Sequence, residues 1–144
     1  MSRKLLLGAS LLVALLVSST ARADFVLVKQ SNNTTARLTK DAAKGVFSGR
    51  TKTWSNGDAI ILVIGSEDSP GMQWLAPALF GVSAKTYLTK IKQDVFKGDV
   101  RHPLSADDDA STLKRIASQP GVVGWISERA AKSLPSGFAI LPLD

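Results

Sequence analysis

The chemistry this sequence could support gathers in one short stretch, Gly65-Ser66-Glu67-Asp68-Ser69-Pro70-Gly71. Ser69 suits a helix N-cap and Pro70 the first helical position, so a helix is expected to start here. Backbone N–H groups of the loop and the positive end of that helix then point at one spot, an arrangement that suits a small anion or polar ligand. The candidate contacts are Ser66, Ser69 and Gly71. Trp74 joins them because it falls off the apolar stripe set by Met72, Leu75, Ala76 and Leu79, so its ring is expected to be partly exposed. The same spacing also describes a plain strand–loop–helix unit of an α/β core.

No other residues form a reactive constellation. His102 is the only histidine and precedes Pro103 in a polar segment, without partners for a nucleophilic triad or a metal site. The chain has no cysteine, which excludes thiol catalysis, disulfides and lipid attachment through cysteine. Asp107-Asp108-Asp109 lacks the alternating oxygen ligands, the glycine and the closing glutamate of a calcium loop. At the start of a helix, three acids are accounted for by capping and the helix dipole. Glu67 and Asp68 are adjacent, and nothing nearby would separate their pKa values for acid–base work. Catalytic residues, metal ligands and cofactors are therefore not expected, and the chain reads as a non-enzyme.

The elements that must position the Ser66–Gly71 loop follow from periodicity. Ala59 to Ile64 is an unbroken apolar run, rich in β-branched residues, and reads as a strand buried on both faces. The helix from Pro70 should end at Gly81. Phe25-Val26-Leu27-Val28 opens the domain as a strand. Thr39 caps a short helix over Lys40 to Phe47, with Leu38 placed to staple onto Ala43. Ser83 caps a longer helix with Ala84, Tyr87, Leu88, Ile91 and Val95 inward and Lys85, Lys90, Lys92 and Asp94 outward. Val100 to Ser105 reads as a loop. A further helix begins at Asp107-Asp108-Asp109 with Leu113, Ile116 and Ala117 inward. Val122 to Ile126 is a buried strand with Trp125 in the core, a helical turn covers Glu128 to Ser133, and Phe138 to Leu141 is a closing strand. Strands alternate with helices, which predicts one α/β domain with a mixed sheet.

Residues 1–23 have the form of a secretory signal: Arg3 and Lys4, an apolar run from Leu5 to Val17, and Ala21-Arg22-Ala23 as cleavage site. The apolar run is too short for a membrane span. Cleavage after Ala23 leaves residues 24–144 as a single domain and suggests a periplasmic location. It also changes the charge. Of 18 basic residues, Arg3, Lys4 and Arg22 leave with the signal, so 15 remain against 12 acidic ones, a balance of +3. Mixed charges without a basic, aromatic-laced cluster argue against nucleic acid as a partner.

Three motifs carry a resemblance. Val46-Phe47-Ser48-Gly49-Arg50, followed by Trp54 and Gly57, resembles the "IFsGk…tnW" segment of phosphate-type periplasmic substrate-binding proteins. Ser66 to Gly71 falls where that family has its Ser-Gly-Thr helix start, and Gln119-Pro120-Gly121-Val122-Val123-Gly124-Trp125 resembles its "tpGaIGYv" strand. The resemblance implies one lobe of a type II periplasmic binding fold, a proteinaceous half of a two-lobe protein. It also shows departures. Gly65 stands where the family's phosphate site has an Arg, and Ser69-Pro70-Gly71 replaces Ser-Gly-Thr, removing one N–H and one hydroxyl.

The resemblance implies an exported substrate-binding-like protein, similar to the binding component of phosphate ABC transporters, holding a small anion such as phosphate at the helix start. A membrane transporter or a second copy of the chain would be its protein partner. The alternative is a periplasmic protein-interaction module that has lost phosphate binding, since a lone lobe leaves its cleft face uncovered.

Overall fold

In the computed structural model, which describes residues 24–144, five strands form one mixed sheet in the order β3-β2-β4-β1-β5. β2 (Ile61–Ile64) runs parallel to both its neighbours, β3 (Leu104–Ser105) and β4 (Val122–Ser127). β1 (Phe25–Gln30) runs antiparallel between β4 and β5 (Phe138–Leu141). All four residues of β2 are buried, as its continuous apolar run requires. It is shorter at its start than the sequence suggests, because Ala59 leaves the ladder to bridge Thr53. Leu104–Ser105 lies in the expected loop, and the two residues add an edge strand that apolar pattern alone is too short to mark.

Helices form where the caps predict them. Thr39 Oγ1 accepts from the Ala42 N–H at 3.0 Å and starts α1 (Lys40–Phe47), while Ser83 Oγ accepts from Thr86 at 3.1 Å and starts α3 (Ala84–Phe96). The helix after β2 is irregular. It is α-helical over Pro70–Leu75 (α2) and widens into a π-helical turn over Ala76–Phe80. Pro77 lies inside that turn and brings no N–H, which removes one α-helical bond where the widening occurs. Gly81, at φ 66°, closes it with an N–H to the Pro77 carbonyl.

Two helix faces differ from the apolar pattern. Asp94, expected outward on α3, is buried and ion-paired with Lys90 at 2.8 Å, its i−4 neighbour. On α4 (Asp109–Ser118), Ala117 is exposed and Thr112 is fully buried beside Ile116. The buried stripe of α4 therefore lies one position around from the one the aliphatic residues suggest. A short α5 (Glu128–Ala131) follows β4, capped by Ser127.

The core is a single cluster in which Leu27, Val28, Phe47, Val63, Met72, Leu75, Ile116, Trp125 and Ile126 are almost fully buried. Trp125 anchors it. Its indole N–H donates to the Val63 carbonyl at 3.2 Å, tying β4 to β2, and its ring meets Phe25 edge-on at 6.1 Å. Gly121, at φ 85°, opens β4; a Cβ there would lie 2.0 Å from the Ala59 carbonyl oxygen. The tight approach lets the Trp54 indole N–H reach the Gly121 carbonyl at 2.9 Å.

Candidate functional site

The loop between β2 and α2 is held by hydrogen bonds within itself. The Ser69 N–H and its hydroxyl both donate to the Ser66 carbonyl, at 3.0 and 2.9 Å. The same hydroxyl oxygen accepts from the Met72 N–H at 3.4 Å, capping α2. Ser69 is 4% exposed, so these bonds are sheltered from water. Pro70 has no N–H. At the outer edge of the loop, Gln73 Nε2 donates to the Glu67 carbonyl at 2.5 Å.

A carboxylate from another element completes the loop. Asp107, just before α4, accepts the Ser66 N–H on Oδ1 at 2.7 Å. Gly65 makes the approach possible: a Cβ at that position would lie 2.5 Å from Ser69 Oγ, 2.8 Å from the Ala106 carbonyl and 3.1 Å from Asp107 Oδ1. No side chain fits at Gly65 without movement of its neighbours. The Ala106 N–H in turn donates to the Ile64 carbonyl at 3.0 Å, so the Asp107 segment is laced to the end of β2.

Gly71 faces inward, against the Trp125 ring, which a Cβ would meet at 2.2 Å. Its small size is thus explained by packing. Trp74 lies elsewhere on the helix and is half-buried, tilted against Phe25 with ring centroids 5.8 Å apart. Together with Asp24, Phe25, Pro70, Gln73 and Pro77 it lines an open cleft of about 580 Å³. Of the four candidate contacts, the fold brings Ser66 and Ser69 into direct hydrogen bonding, sets Gly71 beneath them on Trp125, and leaves Trp74 facing a separate cleft that the other three do not line.

The electrostatics around the loop are acidic. Asp107 sits on the Ser66 amide, and Glu67 and Asp68 are exposed beside it. Asp108 caps α4 by accepting from the Ser111 N–H at 2.8 Å, and this bond holds its carboxyl below the usual range. Asp109 turns the other way and accepts from the N–H and hydroxyl of Ser127 at 2.9 and 2.7 Å. Sequence pattern assigned these acids to one helix end; only Asp108 serves that end alone. His102 is exposed, its Nδ1 3.0 Å from the Pro103 carbonyl.

No protein-family model matches the chain, and no curated protein matches it by sequence. Solved structures do match its fold. An ABC-type phosphate transport receptor from Vibrio cholerae aligns with a TM-score of 0.63 at 15% identity, over 84% of this chain and 46% of the receptor. A phosphate binding protein from Stenotrophomonas maltophilia aligns with a TM-score of 0.63 at 16% identity, over 84% and 39% of the two chains. PstS from Borrelia burgdorferi gives a TM-score of 0.61 at 14% identity, over 85% and 47%. The fold is therefore that of one lobe of phosphate-binding-protein structures, a five-stranded mixed sheet covered by helices. The chain spans less than half the length of each of these structures.

Proposed function

We propose that this chain is a non-catalytic binding lobe that works by protein contact and does not take up free phosphate at the start of α2. The observation that carries this reading is the Asp107 carboxylate on the Ser66 N–H, 2.7 Å away. The loop amide best placed to meet an oxyanion already holds one, supplied by the chain itself. A phosphate would have to displace it and then face Glu67, Asp68 and the freed Asp107, three like charges within a few ångströms of the loop. Ser69 adds little, because its N–H and hydroxyl are committed to the Ser66 carbonyl.

The partner of this lobe is another protein surface. The matched structures are about twice as long as the chain, and a second copy could stand against this lobe where their remaining length lies. The cleft beside Trp74 and Phe25, lined in part by Pro70 and Pro77, offers apolar surface suited to such contact. Residues 1–23, which lie outside the described residues, have the sequence form of a secretory signal, which supports work in the periplasm and access to a membrane transporter as an alternative partner.

A second reading is favoured by the fold likeness itself: the matched proteins are named for phosphate. In that reading Asp107 is a removable occupant, and once it swings away the freed Ser66 N–H and the start of α2 at Ser69 receive a small anion, with Gly71 packed beneath them and Trp74 on its separate cleft.

Thermal unfolding with and without millimolar phosphate or sulfate, together with sizing chromatography, separates the two. The first reading expects no anion-dependent shift, and a dimer that Trp74→Ala converts to monomer. A monomer whose melting temperature rises with phosphate overturns it in favour of the second, because a ligand that binds only the folded state must stabilise it.

A further inference from the structure

Phe96 is the most exposed large apolar residue among those described, at 93%. It is the last residue of α3 and stands out from the core on the helix's outer face. The helical spacing of Lys85, Thr89, Lys92 and Phe96 places them on one stripe, and Lys97 follows at the helix end. All of these residues are exposed. Among the described residues, Lys85, Lys92 and Lys97 have no ion-pair partner, whereas Lys90 on the neighbouring face is paired with Asp94. The stripe itself carries no carboxylate. The nearest carboxylates in sequence are Asp94, buried on another face of the helix and paired with Lys90, and Asp99, beyond the helix end.

We propose that this stripe is a docking surface for an anionic lipid bilayer, with Phe96 entering the headgroup region and Lys85, Lys92 and Lys97 lying over the lipid phosphates. Charge complementarity selects a negatively charged partner, and the shape selects a bilayer. Phe96 projects as a single, almost fully exposed ring from the helix end, which a fluid interface accepts without a preformed pocket. From Lys85 to Lys97 the cations span about 18 Å at the helical rise. Mobile anionic headgroups can gather under such a row, whereas a protein would need carboxylates fixed at matching points. The contact is weak and reversible, since one ring and three lysines form a small anchor. This inference is independent of the reading given to the α2 loop.

The test uses the chain from Asp24 onward, which contains the whole sheet and core, because the apolar run at Leu5 to Val17 would itself enter lipid. Flotation is measured with vesicles of phosphatidylcholine alone and of phosphatidylcholine mixed equally with phosphatidylglycerol. Binding is expected only to the anionic vesicles, and it should weaken as salt rises. Phe96→Ser should reduce it about tenfold, and Lys92→Gln with Lys97→Gln by a further factor of about ten or more. Since these side chains are exposed, the variants should melt with wild type, which separates lost binding from lost folding. Absence of flotation with anionic vesicles overturns the proposal, as does equal flotation of wild type and Phe96→Ser. A lipid-free dimer that Phe96→Ser dissociates, without vesicle binding, also overturns it and makes the stripe a self-association surface.

Discussion

The Ser66 N–H and the Asp107 carboxylate, 41 positions apart in the chain, meet at 2.7 Å. The next two aspartates also hold backbone amides: Asp108 the Ser111 N–H of its own helix start at 2.8 Å, and Asp109 the Ser127 N–H of β4 at 2.9 Å. Three consecutive carboxylates thus secure three different backbone amides, at the end of β2, the start of α4 and the end of β4. Charge-assisted bonds of this kind are shorter and stronger than neutral ones. The run Asp107-Asp108-Asp109 is a set of backbone fasteners, and it needs no cation to explain it.

Asp107→Ala should release the Ser66 amide and loosen the α2 loop. The bond is exposed, so the expected loss is modest, about 0.5–1 kcal/mol in denaturant unfolding. The variant also tests the anion reading directly. If Asp107 only blocks a working site, the variant should acquire a phosphate-dependent rise in melting temperature that wild type lacks. No rise in either protein is the outcome expected for a lobe that works by protein contact.

Ser69→Ala removes the cap of α2 together with the hydroxyl bond to the Ser66 carbonyl, and should cost about 1–2 kcal/mol. Gly71→Ala should cost more, about 2–3 kcal/mol, because its Cβ would strike the Trp125 ring at 2.2 Å. Urea midpoints at constant slope would measure both. Gly71→Ala destabilising by less than Ser69→Ala would contradict the packing described for Trp125.

The pH dependence follows from Asp108. The Ser111 N–H lowers its folded pKa below the ordinary 3.8 of a free carboxyl, so the charged form is favoured in the folded state. Its contribution is complete above that ordinary value and is lost as pH falls through the lowered one. Asp108→Asn keeps a capping oxygen and cannot titrate. The stability difference between wild type and Asp108→Asn should therefore be constant from neutral pH down to about 4 and shrink below it. A difference that grew on acidification would refute the assignment.

Thr112 is fully buried on α4, and its hydroxyl has no hydrogen-bond partner among the described residues. Thr112→Val replaces that hydroxyl with a methyl of similar shape. The variant should be as stable as wild type or more so by about 1 kcal/mol, since an unpaired buried hydroxyl is costly. A loss above about 1 kcal/mol in calorimetry or urea unfolding would show that the hydroxyl makes a bond within the folded protein.

Much of the architecture was legible because local signals agreed with the fold. Thr39, Ser69 and Ser83 cap the helices they precede, and α1 and β5 have the limits that capping and apolar pattern suggest. Where the reading missed, a longer-range force decided. Lys90 neutralises Asp94, which allows a charged residue onto a buried face. Thr112 takes an inward position that its polarity argued against, leaving Ala117 outside. At the loop, the caps of Ser69 could be read from neighbours in sequence. The Asp107 bond could not, because the signal for it is split between two segments: an aspartate ahead of α4 and a glycine at position 65 small enough to admit it. The packing role of Gly71 is hidden for the same reason, since nothing near it in sequence points to the distant Trp125 ring.

The neighbouring positions of β1 and β5 in the sheet have a topological consequence. Leu27 pairs with Leu141, and the Lys40 N–H donates to the Asp144 carbonyl, so the first and last described segments run side by side. Both ends of the lobe emerge on one flank, as on a cassette. A circular permutant that joins them through a short linker and opens the Lys97–Asp99 turn should retain the same sheet. The unit could equally be inserted into a surface loop of a host protein through two adjoining junctions, without splitting the host's own fold.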